Sequence, residues 1–454
     1  MACNLKHSFK TPLQDTLLTA APPQSLKVKI DSFLIALLIA AVPVNLLSDL
    51  GRASTVFYVL AVVALSICFS RVGGLRATLE TLSPYRGLAV ALFFSVLVIT
   101  IAALRSDKRL DTEIERALRL CFGTLIILGA CLSLRPQWLR QASWGLVVTT
   151  WVATVYTLWF SWPTTWPNFR RPLEVPQYNA VSYGDLLLLM AVLGTFSLGW
   201  RLTHYRKTEI AFKVLTLIVS LVGFMLTQTR GGWLGVPFFI ITGLVLIGGK
   251  ASPRKLIAPA LLALLIAAAV FASSSVMRQR FTDTFTQTIE CLEYPLTISS
   301  ECGRIQLWRI SWLMFKADPV FGNGATQDFG PKLDEYWRQG LVSDFMHSQG
   351  FGESHNDMLF SMASHGVLGL LALLFAHFVP AWLFAKRLAS SSPEPARVAA
   401  AMGLVLCLGL FAFGWTELIL RNMRTLSFYA LMLAWLLALS DARFLARHEA
   451  RVSG

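Results

Sequence analysis

Apolar runs of about twenty residues, separated by short and mostly charged connections, dominate this chain of 454 residues. A helix that spans a bilayer needs about 20 predominantly apolar residues. Its backbone polar groups must also bond within the segment, because the bilayer core offers no water. Charged residues make up only 15% of the chain, against about 25% in soluble domains. The pattern therefore excludes an ordinary soluble domain and favours a bundle of membrane-spanning helices.

We predict an all-α polytopic membrane protein with about 12 transmembrane helices. The predicted spans lie near residues 30–48, 54–70, 87–104, 117–134, 141–160, 182–200, 211–229, 232–249, 255–272, 356–384, 398–416 and 425–441.

The distribution of Lys and Arg predicts the orientation of this bundle. If the N-terminus is cytoplasmic, 22 of the 40 basic residues fall on the cytoplasmic side. Many of the rest lie in one long loop, and long loops have little influence on orientation. Both termini are then cytoplasmic, and the net charge of +14 mainly reflects topology. Because no single basic patch stands out, nucleic-acid binding is the weaker interpretation.

Residues 1–29 lack the apolar core of a cleavable signal peptide, so the first span is expected to act as an uncleaved signal.

The long external segment 273–354 is predicted to fold as a helical cap on the membrane surface. It is rich in aromatic residues, unlike a disordered segment. Apolar residues recur every four positions from Met277 to Ile289, and a second helix is expected over Ile305–Phe315. The predicted organisation is a tail at 1–29, spans 1–9 within 30–272, the cap at 273–354, spans 10–12 within 355–441 and a tail at 442–454.

Cys291 and Cys302 are the two cysteines of this external loop. If the predicted topology holds, they lie in an oxidising compartment, where disulfides form and persist. We expect them to be bonded to each other.

His355, where the cap re-enters the membrane, is the first candidate for chemistry. It is either an interfacial histidine at a helix start or a general base, since an unperturbed pKa near 6.5 suits proton removal near neutral pH. A zinc site is a third possibility. His347, His355 and His365 are 8 and 10 positions apart, which does not place two ligands on one helical face, so zinc is disfavoured.

Four arginines on the predicted external side are candidates for substrate binding. Arg230 closes an apolar span at a tight turn, where the alternative is a snorkelling side chain. Arg304 opens the second cap helix, where the alternative is a solvated surface arginine. Arg309 and Arg421 are further candidates. Glu417 stands four positions before Arg421, so a helical ion pair is expected to account for both.

The acidic residues do not form the carboxylate cluster expected of a metal-dependent enzyme acting on phosphates. Asp111 and Glu113 come nearest to such a pair, but Lys108, Arg109 and Arg116 surround them and are expected to neutralise them. We therefore expect no metal and no other cofactor.

The combination of features resembles the O-antigen ligase and polymerase superfamily, with the ligase branch the closer match. The motifs that carry the resemblance lie between about 180 and 440, while the N-terminal half matches in hydropathy. They are Thr229-Arg230-Gly231 at the end of a span, Gly303-Arg304 before Leu307-Trp308, Gly322-Asn323-Gly324, and Ser354-His355-Asn356 before a span.

This resemblance implies a helical glycosyltransferase of GT-C-like architecture at the periplasmic face of a Gram-negative inner membrane. Such a ligase moves a polysaccharide from undecaprenyl diphosphate onto lipid A–core oligosaccharide. The functional arginines of the family match Arg230 and Arg304, and the functional histidine matches His355. A diphosphate leaving group needs little acid assistance, so one base suffices and direct, inverting displacement is favoured.

Three alternatives remain at this point. An O-antigen polymerase or a protein O-oligosaccharyltransferase of the same superfamily would share these motifs. A lipid or sugar transporter is a different class, and it would be expected to carry paired ionisable residues near mid-span, which the sequence lacks.

Overall fold

The computed structural model describes residues 26–105, 111–161, 175, 178–248, 275–323, 326–390 and 392–453. Throughout these residues the regular structure is helical, apart from one isolated bridge between Val175 and Tyr178. The first eleven helices are α1 (Leu26–Leu46), α2 (Ala53–Ser70), α3 (Gly74–Leu82), α4 (Arg86–Arg105), α5 (Asp111–Leu118), α6 (Thr124–Cys131), α7 (Pro136–Gln141), α8 (Trp144–Ser161), α9 (Ala180–Phe196), α10 (Arg206–Thr227) and α11 (Val236–Gly248). The others are α12 (Ser275–Glu293), α13 (Ser300–Ala317), α14 (Phe329–Arg338), α15 (Asp344–Ser348), α16 (Asp357–Ala389), α17 (Glu394–Phe413), α18 (Met423–Leu439) and α19 (Ala442–Ser453).

Eight helical stretches in the described residues are long and apolar enough to cross a membrane. A ninth is obtained if α18 and the start of α19, bent by 59°, form one broken span. The prediction of an all-α polytopic membrane protein is confirmed, whereas the count of twelve is not. Of the other predicted spans, 117–134 corresponds to α5 and α6 joined by a π turn, and 141–160 corresponds to α8. The span at 255–272 lies outside the described residues.

The centre of the bundle is formed by the helices that are apolar on every side. All residues of α18 from Thr425 to Leu439 are buried, and 78% of the α17 window is buried, against 33% for α1 and α2. A helix that is apolar all round belongs in the interior of a large protein or a membrane bundle. The loop that connects these two central helices, residues 414–422, is therefore fixed at both ends.

The cap, residues 275–323 and 326–354, consists of α12 to α15. The expected helices over Met277–Ile289 and Ile305–Phe315 lie within α12 and α13, and the second ends at Ala317, just before Asp318-Pro319. The expected disulfide between Cys291 and Cys302 is present and joins the end of α12 to the start of α13. Apolar residues of the cap form a core with α16 and with the 414–422 loop, so the cap is packed onto the bundle.

The cap is also attached to the bundle at a break in α16. His365 and Gly366 leave helical geometry, with φ of −132° and 61°. Cap residues fill this break, where the N–H of Val367 donates to the carbonyl of Pro319 at 2.8 Å. A Cβ on Gly366 would lie 2.3 Å from the carbonyl carbon of Val320. Position 366 therefore requires glycine for two reasons, its positive φ and the lack of space for a Cβ.

We expect Gly366→Ala to destabilise the folded protein, since backbone in this region costs a non-glycine residue about 1–3 kcal/mol before the clash is counted. The thermal midpoint of the purified protein should fall. Gly330→Ala is the matched control, because Gly330 lies in α14 and an added Cβ would have no neighbour within 4 Å. That change should leave the midpoint the same or raise it. Equal midpoints for the two variants would contradict the role of the break.

Candidate active site

The segment that carries His355 is tied to the loop between the two central helices. The N–H of Asp357 donates to the carbonyl of Gly414 at 2.7 Å, and Asn356 Nδ2 donates to the carbonyl of Trp415 at 3.1 Å. The side chain of Asn356 also caps α16 by accepting from two backbone N–H groups. His355 is therefore held at the junction of α16 with the 414–422 loop.

His355 itself adopts φ of 51°, which is uncommon for a residue other than glycine. Its side chain is only 18% exposed. Nδ1 lies 3.3 Å from Oε2 of Glu417 and 3.7 Å from Oε1 of Glu353. Two carboxylates at Nδ1 favour the tautomer that carries a proton there. Nε2, which has no hydrogen-bond partner among the described residues, is then left with its lone pair.

The carboxylates also determine the basicity of this imidazole. Burial lowers the pKa of His355, but the hydrogen bond and charge of Glu417 and the charge of Glu353 raise it by more, so the pKa lies above its usual value. Burial raises the pKa of Glu417, but the hydrogen bond and charge of His355, the hydrogen bond from Asn179 and the charge of Arg304 together lower it by more, so that pKa lies below its usual value. The pair thus favours a charged imidazolium beside a carboxylate, and its imidazole is a stronger base than free histidine.

Arg304 reaches the same carboxylate from the cap. Its guanidinium lies 3.7 Å from Oε1 of Glu417, and its side chain is 25% exposed. Arg230 lies at the turn between α10 and α11, where Gln228 adopts a left-handed conformation. It donates to Glu301, which precedes Arg304 by three positions in α13 and thus lies on the same helical face. The structure therefore brings Arg230, Arg304 and His355 to one region.

The two remaining candidate arginines differ in their distance from His355 and in their contacts. Arg421 lies near the site and donates to Oε2 of Glu353 at 2.9 Å and to the carbonyl of Gly352 at 3.0 Å. Arg309 is exposed on α13 and forms no ion pair with any described residue. The structure thus places Arg421, but not Arg309, beside His355.

The expected helical ion pair between Glu417 and Arg421 is wrong. Residues 414–422 form a series of turns rather than a helix, so a spacing of four does not bring the two side chains together. Glu417 contacts His355 and Arg304 instead, while Arg421 contacts Glu353. Sequence reasoning consequently missed Glu417 as a partner of the histidine.

The other histidines have separate partners. His347 stacks on Trp337 with ring centroids 3.9 Å apart, and its Nε2 lies 3.0 Å from Asp334. His365, at the break in α16, lies 3.0 Å from a buried oxygen of Glu113. Glu113 was expected to be neutralised by the basic residues around it. It contacts His365 instead, and it accepts hydrogen bonds from Thr326.

Near His355 the described residues enclose a cavity of about 560 Å³, lined mainly by polar side chains. Glu353 and Glu417 both line it, so the cavity adjoins the carboxylates that hold Nδ1. In the described part of the chain, no three His, Cys, Asp or Glu residues cluster closely enough to hold a metal ion.

Comparison with known proteins links this geometry to a family. Residues 215–374 match the family model described as O-Antigen ligase, a range that contains Arg230, Arg304 and His355. The chain is also 22% identical over 278 residues to an uncharacterized protein of Haemophilus influenzae. That alignment covers 59% of this chain and 66% of the relative, just under two thirds of its length. Residues 215–374 of this multi-pass membrane protein therefore match the O-antigen ligase family.

Proposed function

We propose that the protein is an O-antigen ligase, a glycosyltransferase that transfers polysaccharide from undecaprenyl diphosphate to lipid A–core oligosaccharide. The observation that carries the proposal is the arrangement of His355, whose Nδ1 faces two carboxylates, beside two arginines within the family domain. A histidine so held can accept one proton, and arginines can neutralise a diphosphate. These are the two tasks that ligation requires.

Arg230 and Arg304 are assigned to the donor diphosphate. Guanidinium groups keep their charge and bind phosphate oxygens in a bidentate manner. Without substrate, each contacts a carboxylate, Glu301 or Glu417. The diphosphate brings more negative charge than either carboxylate and would replace these contacts. Neutralising the leaving group lowers the barrier to breaking its bond to the sugar.

His355 is assigned as the general base. A hydroxyl oxygen of the acceptor attacks the anomeric carbon of the donor sugar while the bond from that carbon to the diphosphate oxygen breaks. The bonding electrons leave with the diphosphate, and the hydroxyl proton passes to Nε2 of His355. Glu417 stabilises the imidazolium that results, as a buried carboxylate does in catalytic triads. One displacement in this manner inverts the configuration at the sugar carbon and does not need a metal.

The proposed setting is the bacterial inner membrane with both termini in the cytoplasm. The cap, predicted at 273–354, and the site would then face the periplasm. This orientation is supported by the excess of Lys and Arg in the loops of the opposite side. A donor and an acceptor that are both attached to lipids require a site at the membrane surface, which the junction of the cap with α16 would provide.

An O-antigen polymerase or a protein O-oligosaccharyltransferase of the superfamily would use the same residues, so the product distinguishes them. In a strain that lacks this protein, we expect lipid A–core to persist without attached polysaccharide, while full-length chains remain on undecaprenyl diphosphate. The surface and lipid-linked polysaccharides of that strain would be profiled together. Loss of long chains from the undecaprenyl pool would favour the polymerase, and intact glycosylated lipid A–core would contradict ligation.

Replacement of the base is expected to abolish transfer by the purified protein. Removing a general base costs about 100- to 10,000-fold in rate, so His355→Ala should lose kcat by that factor and keep donor binding. His347→Ala is the control, since His347 contacts Asp334 and Trp337 elsewhere in the cap. Thermal stability would be measured for both variants. A folded His355→Ala protein with near-normal turnover would remove the histidine from the mechanism.

The contact between Glu417 and His355 predicts a shift in pH dependence. The base works when neutral, so kcat/KM falls as pH drops through the raised pKa of His355. Glu417→Gln removes the charge that raises this pKa, and the acid limb should move to lower pH. The maximal rate should also fall, because the imidazolium loses its partner.

The control for this experiment is Glu335→Gln, which removes a half-exposed carboxylate elsewhere in the cap. Its pH profile should superimpose on that of the unmodified protein. A Glu417→Gln protein with reduced activity but an unmoved acid limb would limit Glu417 to a structural role.

A further inference from the structure

Two arginines form the boundary between two cavities beside the candidate active site. Arg116 and Arg421 line the polar cavity of about 560 Å³. They also line an apolar cavity of about 180 Å³ that lies among α4, α16 and α18, and no other residue lines both. The two guanidinium groups thus lie where the surroundings change from polar to apolar.

Arg116 lacks a close acidic partner. It forms no ion pair with a described residue, and its Nε is buried without a hydrogen-bond partner. The adjacent acids are engaged elsewhere, Glu113 with His365 and Glu115 with Arg119. The charges of Arg421 and Arg119 act on Arg116 unfavourably, and those of Glu113 and Glu115 act favourably. Arg116 thus lies without an ion pair beside a second guanidinium group, and a bound anion would relieve this arrangement.

The carboxylates that line the polar cavity do not pair with Arg116. Glu353 contacts His355 and Arg421, and Glu417 contacts His355 and Arg304. Neither lies within ion-pair distance of Arg116. The other lining side chains include Tyr178, Asn179, Asn422 and Thr425, which can bond to the hydroxyl groups of a sugar.

The cavity is separate from the arginines assigned to the donor. Neither Arg230 nor Arg304 lines it, and Glu417 stands between Arg304 on one oxygen and His355 on the other. In a single displacement the attacking hydroxyl and the leaving diphosphate must approach the sugar carbon from opposite sides. A second cationic position beside His355, apart from the first, therefore suits the acceptor rather than the donor.

We propose that Arg116 and Arg421 form a phosphate subsite that binds a phosphate group carried by the acceptor glycolipid. This inference rests on the proposed function and specifies what the acceptor must carry. Two guanidinium groups provide the charge and the paired donors that a phosphate dianion requires. Binding of the phosphate there would hold a neighbouring sugar, and thus its hydroxyl, within reach of His355.

The test compares two acceptors, lipid A–core with its phosphates and the same glycolipid after chemical dephosphorylation. Loss of a charge-assisted contact corresponds to roughly 10- to 100-fold in affinity. We expect dephosphorylation to raise the acceptor KM of the unmodified protein by that factor, with kcat changed only slightly. Arg116→Gln should raise the KM for the phosphorylated acceptor similarly, and it should leave the KM for the donor unchanged.

With the dephosphorylated acceptor, Arg116→Gln should cause no further loss, because the partner of the arginine is already gone. Lys332→Gln is the control, since it removes a charge from the cap at a position paired with Glu335. Independent, multiplying effects of the substitution and of dephosphorylation would overturn the subsite. A raised KM for the donor would overturn it as well, by assigning Arg116 to the donor lipid.

The binding of both acceptors to donor-free protein in nanodiscs would be measured to test the subsite independently of the proposed reaction. Tighter binding of the phosphorylated form, lost in Arg116→Gln, supports the subsite even where no transfer occurs. Phosphate-dependent binding without turnover would contradict only the ligase function. Equal binding of the two acceptors by the unmodified protein would overturn the subsite whether or not the variant folds.

Discussion

The contact of Glu417 with His355 is the interaction on which the rest of the site depends. It joins the start of α16 to the loop between the two central helices, and that loop is fixed because both helices are buried in the bundle. The carboxylate raises the pKa of His355 and, by favouring the proton on Nδ1, leaves the lone pair on Nε2. Glu417 also contacts Arg304 through its other oxygen. A single carboxylate thus connects the proposed base to the proposed diphosphate site.

The cap contributes Arg304 to the candidate site, and its attachment to the bundle determines where this arginine lies. Residues 318–323 fill the break in α16 at Gly366, and the cap core includes side chains from α16 and from the 414–422 loop. Arg304 consequently reaches Glu417, which also contacts His355, although it belongs to a different segment of the chain. Arg230 joins it from the bundle through Glu301. In the proposed reaction the arginines exchange these carboxylates for the donor diphosphate, while Glu417 remains at His355.

Periodicity and hydropathy were sufficient for the helical membrane architecture and the two long cap helices, because these depend on local sequence. The disulfide followed from the predicted external position of the loop and from its two cysteines. The site depends on contacts between distant segments. Glu417 and His355 are 62 positions apart, and the spacing of Glu417 from Arg421 suggested a helical pair that the turns of the 414–422 loop do not allow. Arg116 was read as neutralising nearby acids, since nothing in the sequence placed Glu113 against His365. The motifs pointed to Arg230, Arg304 and His355 as candidates, but not to the carboxylates that contact them.

A single displacement with His355 as base inverts the configuration at the sugar carbon, so the stereochemistry of the product tests this mechanism most directly. A donor of known anomeric configuration on undecaprenyl diphosphate would be supplied with lipid A–core to the purified protein. The new glycosidic bond would then be assigned by NMR. Inversion at the anomeric carbon is the predicted result. Retention would contradict the account, because it would require a covalent intermediate on a protein nucleophile and a second displacement.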